Sequence, residues 1–402
     1  MVRTVAIVAA LDTKGEEAGL IRDVILAGGA RTHVIDVGVQ GAPRIHADTT
    51  RDEVAAAAGE EIGALAAGGD KGKAMAAMTV GAGVVAARLY REGRIDGVIG
   101  IGGSAGTAIA TSAMRALPVG VPKLCVSTVA SGDTRPYVGT KDVTMMYSVV
   151  DVAGINRLSA RILTNAAAAI AGMVSVAPPR VAEKPLLAAS MFGNTTACVD
   201  RARAALERAG YEVLVFHATG SGGQTMESLI GDGFVQGVLD LTTTEWADEL
   251  AGGVFSAGPT RLEAAARRGV PAVVAPGCLD MVNFWAPDTV PEKYRGRNLY
   301  HWNPNVTLMR TTPEENARLG TIIAEKLNAS TGPVQVLLPR GGLSQLDSAG
   351  NPYWWPEADA ALFDALRANL RRDIPVTEMA ENINDPAFAD RAAATLLALL
   401  GK

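Results

Sequence analysis

Short apolar runs alternate with longer helical patterns along the chain. Runs of strand length occur in RTVAIVAA, THVIDVGV, IDGVIGIGG and VPKLCVST, and amphipathic stretches of helical period separate them. Strands that are apolar throughout are typical of parallel sheets covered by helices on both faces. The pattern therefore predicts an α/β fold with mainly parallel sheets.

The second half of the chain repeats the layout of the first. GVLDLTTT (Gly237–Thr244) aligns with GVIGIGGS (Gly97–Ser104), and RGVPAVVAPG aligns with VGVPKLCVST. Between the halves, Val176–Pro185 holds three prolines and breaks the pattern, as a linker does. We therefore predict two related, doubly wound Rossmann-like lobes. These are a nucleotide-binding lobe over residues 1–177 and a lobe with a substrate or catalytic cleft over residues 186–402.

Composition excludes several classes of protein. The 402 residues carry a net charge of -5 without a basic cluster, so we expect no nucleic-acid partner. The longest apolar run, Ala166–Val174, is too short to cross a bilayer, so we expect no membrane span. The three widely spaced cysteines lie in apolar surroundings, which predicts buried reduced thiols and a cytoplasmic protein.

A glycine-rich stretch joins a predicted strand to a predicted helix. Gly100–Ala105 fits the G-x-G-x-x-A form, which either binds phosphate or packs a helix on a strand. The next strand ends without a carboxylate until Asp133, which disfavours a nicotinamide dinucleotide. Free N–H groups at the start of the helix favour an anion. The candidate phosphate-binding residues of this loop are Gly102, Gly103, Ser104, Ala105, Gly106 and Thr107.

Charged residues follow the neighbouring strands. Lys14 and Arg135 can pair with phosphate oxygens, and Asp12 or Asp133 can hold Mg²⁺ or ribose hydroxyls. Capping of helices and turns is the alternative role for the two aspartates. The candidate cofactor-binding residues at these strand ends are Asp12, Thr13, Lys14, Thr128, Ser131, Gly132, Asp133 and Arg135.

Several long motifs in a fixed order carry a resemblance to a known family. They are ALDTKGEE, GIGGSAGTAIATSAMRALPVGVPKLCVSTVASGD, DVAGIN, VFHATGSGG and YHWNPNVTLMRTTPEEN. Over nearly its whole length the chain resembles the Tm-one-like ATP-binding proteins, named for a tomato resistance factor against tobamoviruses. The resemblance implies two Rossmann-like lobes, ATP in the N-terminal lobe and a homodimer. The plant member binds a viral replication protein, and its additional C-terminal barrel lies outside the resemblance.

Polar loops follow the predicted strands of the second half. We name His217, Glu245, Asp280 and His301 as candidate catalytic residues, because histidines and carboxylates at adjacent strand ends can perform acid/base or metal chemistry. Structural hydrogen bonding is the equal alternative for both histidines. His33 and His46 are interpreted as structural.

Three functions remain open from the sequence. The first is an enzyme that uses ATP, with or without Mg²⁺, on a small-molecule substrate. The second is a nucleotide-regulated protein that acts by binding a partner protein. The third is a metal-dependent hydrolase or lyase that needs no nucleotide and uses His217 and His301. The converging polar loops of the second half favour the enzyme.

Overall fold

The computed structural model describes residues 2–177, 179 and 183–402. The chain divides into two compact units, Met1–Val181 and Ala182–Lys402, each an α/β unit on its own sheet. Positions 178 and 180–182 of the predicted linker lie outside the described residues.

The first unit is built on a parallel sheet. Its strands in the described residues are β1 (Thr4–Ala9), β2 (Arg31–Asp36), β3 (Gly97–Gly102), β4 (Lys123–Ser127) and β5 (Thr144–Tyr147). They lie in the order β2-β1-β3-β4-β5, and all pairs are parallel. This is the flavodoxin-like order, whose topological switch point lies between β1 and β3. The predicted α/β class with parallel sheets is confirmed here.

Helices cover both faces of this sheet. Those in the described residues are α1 (Leu11–Ala27), α2 (Arg51–Ala57), α3 (Ile62–Ala67), α4 (Lys71–Arg91), α5 (Ser104–Arg115), α6 (Arg135–Val138) and α7 (Arg157–Ser175). Helices α1 and α7 pack on one face, and α4 and α5 pack on the other. Buried apolar side chains therefore alternate between two cores along each central strand, which is why these strands are apolar throughout.

Helix α7 contains the apolar run Ala166–Val174 and is longer than that run. Its 19 residues are long and apolar enough, by length and composition, to cross a membrane. A core helix of a soluble protein passes the same test, and α7 packs Leu163, Ile170 and Val174 against the first sheet. The helix begins after a capping box in which the Asn156 side chain accepts hydrogen bonds from the backbone N–H groups of Leu158 and Ser159.

The second unit holds a larger parallel sheet and a small antiparallel one. Its strands in the described residues are β6 (Leu186–Met191), β7 (Glu212–His217), β8 (Gly237–Thr242), β9 (Ala272–Gly277), β10 (Met281–Phe284), β11 (Leu299–Asn303), β12 (Val306–Arg310), β13 (Val334–Pro339) and β14 (Val376–Met379). The parallel sheet has the order β14-β13-β9-β8-β6-β7. Strands β10, β12 and β11 form the antiparallel sheet. This antiparallel sheet was not predicted.

Helices complete the second unit. Those in its described part are α8 (Thr196–Arg208), α9 (Ser221–Gly231), α10 (Glu245–Ala251), α11 (Ala264–Arg268), α12 (Pro313–Asn328), α13 (Pro356–Asn369) and α14 (Pro386–Leu399). The amphipathic stretch DPAFADRAAATLLALL forms α14. Its buried face contacts α8 and the parallel sheet through residues such as Phe388, Ala392 and Leu396.

Strand register supports the predicted internal repeat. Val5 of β1 pairs with Gly97 of β3, and Leu187 of β6 pairs with Gly237 of β8. One residue further along, Val98 pairs with the first residue of β4, and Val238 pairs with the first residue of β9. The strands GVIGI and GVLDL therefore occupy equivalent positions in two sheets of the same central order.

Candidate functional site

A cavity of about 600 Å³ opens in the first unit at the carboxyl ends of β1, β2 and β3. Ala10, Asp12, Thr13 and Lys14 after β1, residues 37–40 after β2 and residues 103–106 after β3 line it. The cavity therefore lies at the switch point between β1 and β3, where open α/β sheets bind their ligands. Its volume is within the range of small-molecule sites.

The N-terminus of α5 forms one wall of this cavity. Gly103 is the N-cap residue and has no side chain to bond the first turn. The first hydrogen bond of the helix runs from the Thr107 backbone N–H to the Gly103 carbonyl at 2.8 Å. The N–H groups of Ser104, Ala105 and Gly106 come before it and have no acceptor within the helix. Together with the helix dipole, these N–H groups form a seat for an anion.

The three glycines of this loop differ in what a side chain would meet. A Cβ at Gly102 would lie 2.7 Å from the Gly106 Cα, and one at Gly106 would lie 3.1 Å from the Ile101 carbonyl oxygen. Close packing of α5 on β3 thus accounts for these two glycines. A Cβ at Gly103 would come no closer than 3.7 Å to its nearest neighbour, the Thr128 Oγ1. The packing of the protein therefore does not require glycine at this position.

Two charged side chains from α1 stand beside the glycine loop. The Lys14 Nζ donates to the Val152 carbonyl. One carboxylate oxygen of Asp12, Oδ2, accepts hydrogen bonds from the backbone N–H groups of Gln40 and Gly41 at 3.0 and 3.2 Å. The other oxygen, Oδ1, is buried and has no hydrogen-bond partner in the described ranges. An orphaned carboxylate oxygen on a cavity wall suits a cation or a ligand hydroxyl.

The opposite side of the cavity is apolar, and the sequence reasoning missed it. It is formed by side chains from the loop after β2 and from α3, α4 and α5. These are Val37, Val39, Leu65, Ala74, Met75, Met78 and Ile109. Met75 and Met78 lie three residues apart on α4, a spacing that places them on one helix face. That spacing was visible in the sequence, but only the fold brings this face to the glycine loop.

Four other predicted cofactor residues, Thr107, Thr128, Ser131 and Gly132, are not among the residues that line the cavity. Thr107 is buried, and its hydroxyl lies 2.6 Å from the Ser127 hydroxyl, which links α5 to β4. Thr128 lies beside Gly103, and its backbone N–H donates to the Gly102 carbonyl at 3.3 Å. Ser131 and Gly132 are exposed in the turn after β4.

Asp133 and Arg135 pair with each other at the surface. The Arg135 Nε and Nη2 donate to the two Asp133 carboxylate oxygens at 2.9 and 2.8 Å. Hydrogen bonds from the Arg135 side chain lower the pKa of Asp133 to about 2. Both side chains are more than half exposed, at 53% for Asp133 and 89% for Arg135.

The equivalent junction of the second unit is filled by ion pairs. Arg261, of which 1% of the side chain is exposed, donates to both Asp240 carboxylate oxygens at 2.6 and 2.7 Å and to Glu245 at 2.7 Å. Glu245 also accepts hydrogen bonds from the backbone N–H groups of Gly220 and Gly223, at the start of α9. Burial raises the pKa of Glu245, and the Arg261 charge opposes that rise. Glu245, predicted in an accessible loop, is thus buried and fully partnered.

Asp280 is also buried. It follows β9, as predicted, and its Oδ2 accepts a hydrogen bond from the Ser344 hydroxyl at 2.8 Å. Burial, with the nearby Asp347 charge, raises the pKa of Asp280. An inaccessible carboxyl cannot reach a substrate from this position.

The two predicted catalytic histidines belong to different sheets. His217 ends β7, is exposed, and has its ring 5.5 Å from the Phe192 ring. His301 was expected in a loop at a parallel strand end, but it lies within the antiparallel strand β11 beside the Thr307 hydroxyl. His33, expected to be structural, is buried against the Thr49 hydroxyl at 2.8 Å.

Metal ligation was the basis of the third predicted function. Across residues 2–177, 179 and 183–402, no group of three or more His, Cys, Asp or Glu side chains is arranged to hold a metal ion. Of the four candidate catalytic residues, Glu245 and Asp280 are buried with hydrogen-bond partners of their own, and His217 and His301 are exposed on strands of different sheets.

Solved structures similar to this chain have low sequence identity. The MurG structure from Acinetobacter baumannii shares 12% identity at a TM-score of 0.22, over 98% of this chain and 99% of that chain. A UDP-N-acetylglucosamine 2-epimerase from Rickettsia bellii shares 11% at a TM-score of 0.22, over 100% of this chain and 96% of that chain.

Sequence relatives are much closer. A "UPF0261 protein" of Clostridium tetani is 52% identical over 100% of both chains, and one of Rhizobium meliloti is 47% identical over 98% of both. The "ToMV resistance protein Tm-1(GCR237)" of Solanum lycopersicum is 43% identical over 77% of this chain and 42% of that protein. The model described as "Uncharacterised protein family (UPF0261) N-terminal domain" matches residues 3–179, and that of the C-terminal domain matches residues 184–400. The chain therefore belongs to the UPF0261 family.

Proposed function

We propose that the first unit binds ATP in the cavity between β1 and β3. In this proposal the phosphates lie on the N-terminus of α5, and Lys14 leaves the Val152 carbonyl to pair with them. The base lies against the apolar wall that includes Val39, Met75 and Met78. The observation that carries the proposal is one cavity that joins an uncapped helix N-terminus and a lysine to an apolar wall.

Charge balance in the cavity supports binding of ATP with Mg²⁺. Asp12, Asp70 and Asp151 line the cavity together with Lys14 and Lys71, so carboxylates outnumber ammonium groups. A divalent cation would offset this excess beside the phosphates, and the unpartnered Oδ1 of Asp12 is a suitable ligand for it. The same oxygen could instead accept a hydrogen bond from a ribose hydroxyl.

Two features favour a mononucleotide over a dinucleotide. The dinucleotide fingerprint occupies the first strand-to-helix turn of a Rossmann unit, whereas this glycine loop follows β3, the third strand. The acid at the end of β2, Asp36, is buried and already accepts hydrogen bonds from the backbone N–H groups of Leu11 and Gly38. Because Asp36 is only 1% exposed, it is poorly placed to bind a ribose of NAD.

A second candidate function is a nucleotide-regulated binding protein. The observation that favours it over an ATP-dependent enzyme is the burial of Glu245 and Asp280, which keeps two of the four candidate catalytic side chains from contact with a substrate. We further propose a cytoplasmic homodimer: the three buried free thiols support the compartment, and only the resemblance to the tomato family supports the dimer.

Calorimetric titration and thermal shift with ATP, GTP and NAD, each with and without Mg²⁺, test the proposed function. We expect one ATP per chain, with a stabilisation of about 2.7 kcal/mol at 100 times the dissociation constant. Gly103→Asp should weaken ATP binding by at least about 100-fold, because it places a carboxylate in the anion seat.

Gly103→Ala is the matched control, because the space at this position admits a methyl group. We expect it to change ATP affinity by less than about tenfold and to leave stability unchanged. An unchanged ATP affinity in a folded Gly103→Asp protein would refute the assignment of the phosphates to this loop.

A further inference from the structure

A cluster of three carboxyl groups surrounds one guanidinium in the second unit. The Arg310 Nη2 donates to Asp359 Oδ1 at 2.8 Å and to Asp347 Oδ1 at 3.4 Å. Asp280 interacts electrostatically with both Arg310 and Asp347 and accepts the Ser344 hydroxyl at 2.8 Å. Asp280, Asp347, Asp359 and Arg310 are each at most 3% exposed. This carboxyl cluster plays no part in the proposed nucleotide site, which lies in the other unit.

The charges in the carboxyl cluster do not balance when every group is ionised. Three carboxylates facing one guanidinium leave two negative charges in a buried environment. The other titratable groups that face it, Cys278 and Tyr353, are neutral when protonated and supply no positive charge. The nearby ion pair of Arg297 with Glu315, at 2.8 Å, carries no net charge. Arg297 donates to the backbone carbonyl of Arg310 and not to its side chain. Buried uncompensated charge is costly enough that such groups retain protons instead.

Unpartnered atoms point to the same conclusion by geometry. Asp280 Oδ1, Asp359 Oδ2 and the Tyr353 hydroxyl oxygen are buried and have no hydrogen-bond partner in the described parts of the chain. An ionised carboxylate can only accept hydrogen bonds, whereas a protonated carboxyl group can also donate one. Retained protons would let these groups bond to one another and would remove part of the cost of burial.

The carboxyl cluster holds the segment 340–355, which follows β13. The Leu343 backbone N–H donates to Asp347 Oδ2 at 2.9 Å, and the Arg310 Nε donates to the Tyr353 carbonyl at 2.8 Å. Ser344 joins the same segment to Asp280. One partner in each of these hydrogen bonds belongs to the carboxyl cluster. Ionisation of the cluster therefore acts directly on this segment.

We propose that Asp280 and Asp359, packed beside Asp347 and Arg310, form a proton-binding site that fastens segment 340–355 to the second unit while it is protonated and loosens it when protons leave. Burial, together with the charge of Asp347, raises the pKa of Asp280 to about 7 and that of Asp359 to about 8. Their pKa values in the unfolded chain are near 3.9. Between these limits the folded state binds more protons than the unfolded state, so stability falls as pH rises from about 4 through about 8.

Unfolding measured from pH 5 to pH 9 in the wild type and in Asp359→Asn tests the proposal. The amide mimics a carboxyl group that cannot lose its proton. We therefore expect the ratio of the Asp359→Asn folding constant to the wild-type folding constant to rise at least about tenfold from pH 5 to pH 9. Asp390→Asn, which removes an exposed carboxylate paired with Arg201, is the control and should leave the pH slope unchanged in this range.

Two further measurements use the wild-type chain and do not depend on a variant that folds. Infrared spectroscopy should show a protonated carboxyl band at pH 6 that disappears by pH 9.5. Hydrogen exchange of segment 340–355, corrected for the intrinsic rate, should accelerate over the same range. Absence of a protonated carboxyl band at pH 6, or the same pH slope in Asp359→Asn as in the wild type, would overturn the proposal.

Discussion

The two units place different chemistry at the same strand-to-helix junction. In the first, β3 ends in Gly102 and Gly103, and the start of α5 opens on a cavity. In the second, β8 ends in Thr242, the following threonines are buried, and Arg261 joins Asp240 to Glu245. Equivalent strand register therefore does not imply an equivalent site.

An internal carboxylate bonds a helix N-terminus in the second unit, that of α9 after β7, whereas in the first unit we assign a ligand to the N-terminus of α5 after β3. Glu245 accepts the N–H groups of Gly220 and Gly223 at the start of α9 and pairs with Arg261, which also pairs with Asp240 and Glu227. In the first unit, the N–H groups at the start of α5 have no such side chain. The comparison teaches that a repeated α/β frame can satisfy a helix terminus either from within the chain or with a bound anion.

The largest expected effect comes from removing the cation that balances the second junction. Arg261→Ala should lower the free energy of unfolding by about 3–5 kcal/mol, because it leaves the buried Asp240 and Glu245 carboxylates without their partner. Chemical denaturation measures the change. Arg201→Ala, which removes a half-exposed ion pair with Asp390, should cost no more than about 1 kcal/mol. Equal losses in the two variants would show that the internal ion pairs do not stabilise this junction.

A smaller effect should separate two neighbouring glycines in the first junction. Gly102→Ala should lower stability by about 1–3 kcal/mol, because its Cβ would approach the Gly106 Cα to 2.7 Å. Gly103→Ala, whose Cβ has open space, should stay within about 0.5 kcal/mol of the wild type. Thermal unfolding of the two variants side by side measures the difference. A cost at Gly103 as large as that at Gly102 would mean that packing explains the whole loop.

The smallest expected effect concerns the loop after β4. Arg135→Ala should change neither stability nor ATP affinity measurably, because Arg135 is exposed and pairs only at the surface with Asp133. Titration of this variant with Mg²⁺ and ATP is the measurement. A loss of tenfold or more in ATP affinity would show that this loop closes over the phosphates and would extend the site beyond the cavity between β1 and β3.

Much of the frame was predictable because its signals are local. Apolar runs of strand length and the Gly-Val-Pro motifs located β1 to β4, β8 and β9, and the helices α1, α4 and α5 followed from helical periodicity. Strands β10 to β12 were missed because an antiparallel insertion with exposed side chains on β11 lacks the continuous apolar run on which the prediction relied. Helices α2, α3 and α6 have too few turns to show a clear period of apolar residues in the sequence.

The sequence alone determined that the chain contains two α/β repeats and that a glycine loop with Asp12 and Lys14 stands at strand ends. These features depend on residues close together in the chain. Only the tertiary structure decided that Met75 and Met78 line the same cavity, that Arg261 and Glu245 close the second junction, and that Asp280 is buried beside Arg310. The physical reason is that burial and charge pairing depend on side chains brought together from distant positions in the chain. The sequence does not show whether an aspartate or glutamate lies in an exposed loop or in a core.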